Sequence, residues 1–221
     1  MVTGRKLSKA TRAQGAVLGY PRLLGERLCL DFVNTLEKEV PPDPVEYLGT
    51  YADLARWGRH VRVLTEDEVA RALERGIAHP EAALVVHARA IAFRRTLTRL
   101  FTAIAHGEDP ESCDLRALED AAVGAAPSLR LRREADQYDW IWTDADRQVE
   151  RLLWEIARSA LHVLRHDDLA RLKECPGAGD CGSLFLDTSR NGTRRWCSME
   201  GCGSRIKMRR HYARHRDSSS P

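Results

Sequence analysis

Four cysteines close to the end of this 221-residue chain offer its clearest chemistry. They fall as two pairs, Cys175-x5-Cys181 and Cys197-x4-Cys202, with 15 residues between the pairs. Zinc favours four such ligands in a tetrahedron, and closely spaced pairs let two turns aim their sulfurs at one ion. The inner spacings are wider than the common one, but the separation suits a β-hairpin joining two knuckles. Gly182 and Gly203 each directly follow a ligand, where a knuckle often needs positive φ. A second ligand set is open: Cys197 and Cys202 with His211 and His215, which lie four apart on one helical face. Only 8 residues separate Cys202 from His211. The usual two-Cys, two-His finger has about 12, and this choice leaves Cys175 and Cys181 unused. Disulfides or free thiols are the third option, which the absence of a secretory signal disfavours. Cys29 and Cys113 stand alone and read as small buried hydrophobes.

Charge gathers at the same end. Residues 1–174 hold 26 Lys/Arg against 28 Asp/Glu, whereas 175–221 hold 9 against 4. Between Gly182 and Arg216, Arg190, Arg194, Arg195, Arg205, Lys207, Arg209, Arg210, Arg214 and Arg216 face only Asp187 and Glu200. That density suits a phosphate backbone, whose neutralisation releases counterions. The competing readings are a solvated face, basic residues complementing a helix C-terminus, an acidic protein partner, or RNA. Trp196, Ile206 and Tyr212 read as the core of the small module.

The elements that position these residues follow from periodicity. "LFLD" and "TRRWC" are candidate strands around an Asn191-Gly192 turn. "GSRIKMRRHYARHR" is a helix candidate with Cys202 at its start, where the helix dipole favours a thiolate. Knuckle, hairpin and ligand-bearing helix together describe a treble-clef-like module over 175–216, with a disordered tail at 217–221. Upstream, residues 19–174 read as mainly helical with one small hairpin, after a disordered basic tail at 1–18. Leu28–Val33 is a short strand or a buried helical turn; its length does not decide. "PPDP" at 41–44 is a break. Tyr47 to Trp57 has helical spacing, and Thr65 with Glu68 forms a capping box. Pro80 opens and Gly107 stops a long helix, with Leu84, Ala88, Ile91, Leu97, Leu100 and Ile104 inward. A shorter helix follows Asp114. Leu129/Leu131 and Tyr138/Trp140/Trp142 alternate around "EADQ" as a hairpin. A second long helix starts at Asp144, with Val149, Leu152, Leu153, Ile156, Ala160 and Val163 inward. Asp167 or Asp168 caps a last helix ending near Glu174. No run of about 18 apolar residues suggests a membrane span.

"CGSLFLDTSRNGTRRWCSMEGCGSR" resembles the CGNR zinc finger family, whose hallmark runs C-G-x-L-F-x-D-x-S-R-N, then R-W-C, then C-G-N-R. Cys181, Gly182, Leu184, Phe185, Asp187, Ser189, Arg190, Asn191, Arg195, Trp196, Cys197, Cys202, Gly203 and Arg205 carry the match. Ser204 stands where the family's naming Asn is expected, and the first pair is one residue longer than usual. "RLCLDFVNT" at 27–35, then "YADLARW", is similar to the ABATE domain that accompanies this finger in bacterial proteins. The resemblance implies a stress-induced bacterial transcription regulator, cytoplasmic and at the nucleoid when bound. Its zinc would be held by Cys175, Cys181, Cys197 and Cys202. The basic residues from Arg190 to Arg214 would meet DNA, and the N-terminal domain would sense a small molecule or a protein partner. The alternative is a zinc-stabilised protein-interaction or RNA-binding module without sequence-specific DNA recognition. An enzyme is not expected, because a four-thiolate site is closed and no Gly-rich phosphate loop or H-E-x-x-H motif is present. Asp31 and Asn34, polar within an apolar run, either line a ligand pocket or satisfy the backbone around them.

Overall fold

The computed structural model describes residues 19–37, 45–144, 147–177 and 181–217, with the backbone alone at Glu134, Arg210 and 212–217. The basic stretch 1–18, the break at 41–44 and residues 218–221 lie outside the described residues. So do the side chains of Arg210, Tyr212, Arg214, His215 and Arg216.

The apolar run near the start is helical. Helix α1 (Leu28–Val33) buries five of its six residues. A helix apolar on all sides belongs at the centre of a domain. Asp31 accepts the Gly25 N–H at 2.8 Å. A Cβ on Gly25 would lie 2.6 Å from Leu30 Cβ, so only glycine permits this approach. After α1, β1 (Leu36–Glu37) pairs antiparallel with β2 (Val45–Glu46). Arg94, 3% exposed, donates to Thr35 Oγ1 at 2.9 Å and to both carboxylate oxygens of Glu46. Bidentate pairing is what lets a guanidinium sit that deep.

Helices α2 (Tyr51–His60) and α3 (Glu66–Ala78) open on reciprocal capping boxes, Thr50/Asp53 and Thr65/Glu68. Helix α4 (Pro80–Ala105) has Pro80 at its start and Gly107 at φ +77° beyond its end. Leu97 and Leu100 are in the core and Ile91 and Ile104 pack against it as expected, but the first turns depart from the expected face. Ala90, Phe93, Leu97, Leu100 and Phe101 are buried, while Leu84 and Ala88 are exposed. The N-terminal half of α4 is apolar around most of its circumference, so periodicity could not fix its phase. Helix α5 (Ser112–Val123) begins two residues before Asp114, which is buried against Arg99. The hairpin β3 (Leu129–Glu134) and β4 (Gln137–Trp142) has the register Leu129↔Trp142 to Glu134↔Gln137, around Ala135 at φ +53°. Helix α6 (Gln148–His166) buries every apolar residue assigned to its inner face. Arg27, just before α1, donates to Asp167 just after α6.

Two expectations fail beyond α6. Asp168 caps only a 3-10 turn, Leu169–Arg171, and the chain then runs into strand β5 (Leu172–Glu174). The partner of β6 (Leu184–Leu186) is this strand, in the register Leu172↔Leu186 and Glu174↔Leu184, and not "TRRWC". The reason is burial. Leu172, Leu184 and Leu186 complete the main core with Phe32, Trp57 and Phe101. Successive strand residues point to opposite faces, and Phe185 between them enters a second cluster, with the four cysteines, Leu24 and Trp196. Helix α7 (Ser204–Asp217) ends the described chain. The architecture is mainly α with two-stranded sheets. Among the described residues, no helix is long and apolar enough to cross a membrane.

Candidate metal centre

The β5–β6 pair places the first two cysteines. Cys175 follows β5 and Cys181 precedes β6, and the Cys175 N–H donates to Ser183 O at 2.8 Å. Gly177 has φ +48°, and a Cβ there would lie 2.4 Å from Cys181 Cβ. Gly182 also has positive φ, +60°, as a knuckle demands; Gly203 does not. The second pair is set by a π-helical turn, Met199–Gly203, whose Gly201 N–H donates to Ser198 Oγ at 3.1 Å. Cys202 sits in that turn, and α7 begins two residues later. Ser204, in the place of the family's Asn, is already helical, and its hydroxyl donates back to Met199 O at 2.9 Å.

The four sulfurs all lie within 4.8 Å of one another, and all four residues are buried. Cys181–Cys197 is 3.7 Å and Cys197–Cys202 is 3.6 Å between Sγ atoms. A tetrahedron of about 2.3 Å Zn–S bonds has S···S edges of about 3.8 Å. A disulfide needs about 2.05 Å, so the spacing fits an ion and excludes bridges. His211 is exposed and outside the group, which removes the mixed ligand set. Cys29 is buried, its thiol pushed up to about 12 by burial, whereas Cys113 is exposed rather than the buried hydrophobe expected.

The thiols burden one another in a way that a cation would relieve. Contacts with Cys175 and Cys181, then burial, push the Cys197 thiol far up. Hydrogen bonds from Cys175 and Cys197 pull Cys181 down. Burial and then the Cys181 charge push Cys202 up to about 12. Thiolates packed this closely repel one another, and a divalent ion offsets that repulsion. Outer groups orient the ligands. The Cys197 N–H points at Cys175 Sγ (3.3 Å), Ser183 Oγ lies 3.2 Å from Cys181 Sγ, and Arg205 Nη2 approaches Cys202 Sγ at 3.8 Å.

A second hub holds the loop between the pairs. Asp187, fully buried, accepts from Ser189 N (2.9 Å), Ser189 Oγ (2.5 Å), Arg194 N (2.8 Å) and Lys173 Nζ (2.7 Å). Burial opposes its charge, but Lys173, Ser189 and the Arg194 N–H hold its carboxyl well below the usual carboxylate range. Lys173 Nζ also donates to Gly192 O (2.7 Å) and Arg194 O (3.0 Å).

Arg194 turns inward. It lies 4.5 Å over the Phe185 ring and donates to Glu26 Oε1 (3.1 Å), Leu24 O (3.2 Å), Trp196 O (3.1 Å) and Cys197 O. By contrast Arg190, Arg195, Arg205, Lys207 and Arg209 are exposed, with Arg195 over the Trp196 ring at 5.5 Å. Asp31 commits Oδ1, and Asn34 its whole amide, to backbone groups. Asn34 forms a reciprocal pair with Leu184, donating to its O at 2.8 Å and accepting from its N at 2.9 Å. Lys173 and Glu26 were not singled out from sequence. The available signal was a charge beside an apolar strand, which needs a buried partner.

Two family models match the chain. Residues 26–167 match ABATE, described as "Putative stress-induced transcription regulator", and residues 171–215 match the CGNR zinc finger. No curated protein matches it. With more than half of its length matched by the first model, and a four-cysteine zinc site in the second, the chain belongs to the ABATE family and ends in a CGNR zinc finger.

Proposed function

We propose that this protein is a zinc-dependent, DNA-binding transcription regulator of the bacterial cytoplasm, acting at the nucleoid. Its N-terminal helical domain would respond to a small molecule or a protein partner. One observation carries the reading: the fourth zinc ligand launches α7, which bears six Lys/Arg against the single acid Asp217. Arg205, Lys207 and Arg209 on that helix, with Arg190 and Arg195 on the preceding loop, are exposed cations. A metal-fixed helix of this charge suits a DNA groove lined by phosphates. The family description points the same way.

The chain's own residues divide the task. Cys175, Cys181, Cys197 and Cys202 hold the zinc, which stabilises a module too small for its own core. Asp187, Lys173 and Arg194 hold the loop and the second knuckle. The exposed cations contact phosphate. Four thiolates fill the tetrahedron and leave no position for water, so no catalytic step is assigned to the metal.

The test is a mobility-shift titration of the full chain with zinc on duplex DNA. The full chain is needed because β6 belongs to both cores. If all five exposed cations reach phosphates, log K falls against log salt with a slope of about −4.5. No shift at low salt with zinc bound overturns the proposal.

A further inference from the structure

We infer that the N-terminal half of α4 is a self-association face, on which a second copy of this chain docks antiparallel. The observation is an exposed stripe along the outer side of this half of the helix. Glu81, Leu84, Val85, Ala88, Ala92 and Arg95 are all exposed, and Leu84 and Val85 are each 68% exposed. At 3.6 residues per turn they fall within about 60° of Ala88 on one helix face. The opposite face is committed inward. His87 is hydrogen-bonded to Leu48 O at 2.7 Å, and Ala90, Phe93 and Leu97 are in the core. Isolated exposed apolar residues need no explanation, but a continuous row on one helix marks an interface.

The stripe names its own occupant. Most oligomers use two-fold interfaces, in which one patch meets itself. With the axis at Ala88, antiparallel packing sets Glu81 against Arg95 of the second copy, twice over. It sets Leu84 against Ala92, a large side chain against a small one, and Ala88 against itself, where small size lets the helices approach closely. Neither Glu81 nor Arg95 has an ion-pair partner within the chain among the described residues. A parallel arrangement would instead oppose Glu81 to Glu81 and Arg95 to Arg95. The charges therefore select one orientation, and the small residues select one register.

Sedimentation velocity on the full-length zinc protein tests this. Wild type at about 100 µM is expected to be a dimer. Glu81→Arg, Arg95→Glu and Ala88→Glu should each raise the dissociation constant at least about tenfold, because each places like charges across the axis. The double swap Glu81→Arg/Arg95→Glu should restore wild-type association, since it rebuilds the same two pairs reversed. Circular-dichroism melts of the single variants at low concentration should match, because the side chains are exposed. A monomeric wild type overturns the inference. So does a dimer that Ala88→Glu leaves intact, or one that the double swap fails to restore.

Discussion

Replacing Asp187 by Asn tests whether the loop between the cysteine pairs is held by charge rather than by zinc alone. The carboxylate accepts four hydrogen bonds in a site with no solvent exposure. An amide can accept from one side only. Its best placement keeps the oxygen on Lys173 Nζ and Arg194 N and turns its NH2 toward Ser189. The Ser189 hydroxyl can rotate to accept, but the Ser189 N–H then meets a donor. Leaving that N–H unsatisfied costs about 1–3 kcal/mol. Removing the counter-charge of a buried pair costs about 3–5 kcal/mol. Lys173 is 28% exposed and keeps two carbonyl acceptors, so the lower end applies to it. The sum is about 4–6 kcal/mol, a large fraction of the 5–15 kcal/mol typical of a domain. Urea denaturation of the zinc-loaded protein, followed by tryptophan fluorescence, measures it. The pH dependence has a definite sign. A carboxyl held below its usual range contributes stability that is complete above about pH 4 and lost as pH falls through its folded value. The difference between wild type and Asp187→Asn should therefore be equal at pH 7 and at pH 5. A difference below about 1 kcal/mol would refute the hub. One that shrinks between pH 7 and pH 5 would refute the depressed carboxyl.

Three further outcomes are expected. Asn34→Ala removes both bonds to the Leu184 backbone and should cost about 1–3 kcal/mol in the same denaturation assay, a cost absent if Asn34 were a ligand-pocket residue. Arg190→Ala, Arg195→Ala and Lys207→Ala should each weaken all DNA sequences alike and reduce the salt slope by about 1, whereas Arg194→Ala should lower unfolding stability. A fragment from residue 169 onward exposes Leu172, Leu184 and Leu186, roughly 4.5–9 kcal/mol of burial. It should bind zinc more than about a hundredfold more weakly than the full chain in a chelator competition, and equal affinities would show the finger to be independent.

Much of this was legible in local spacing. The capping box at Thr65, the hairpin around Ala135 and the spacing of the inner face of α6 are set by local periodicity and turn chemistry, and the four thiolates by two short pairs. What was not legible depends on partners far along the chain. "LFL" is compatible with pairing to the strand before it or after it. Burial of Leu172 under the main core made the choice, and no local rule contains that information. Arg194 was read as one more exposed cation because charge patterning is blind to Glu26, which lies 168 residues away. Leu84 and Ala88 in the first turns of α4 were misplaced for the converse reason. Its N-terminal half is apolar on two sides, and only the packed fold shows which side the core takes.

Strand β6 changes how the two matched regions relate. Its three residues face alternately, Leu184 and Leu186 into the helical core and Phe185 into the zinc cluster. The stretch before α1 does the same from the other side: Leu23 belongs to the main core and Leu24 packs on the cysteines. Gly25 O accepts the Leu186 N–H at 3.1 Å, and Arg194 reaches back to Leu24 O and Glu26. A finger on a free tether would move without disturbing the domain behind it. Here strand β6 and the segment before α1 both leave the zinc cluster through residues whose neighbours are fixed in the main core. We expect loss of the metal to disturb packing at α1 as well, because close-packed elements do not deform one side at a time. The contacts shared between the two cores are what make the finger a poor independent domain.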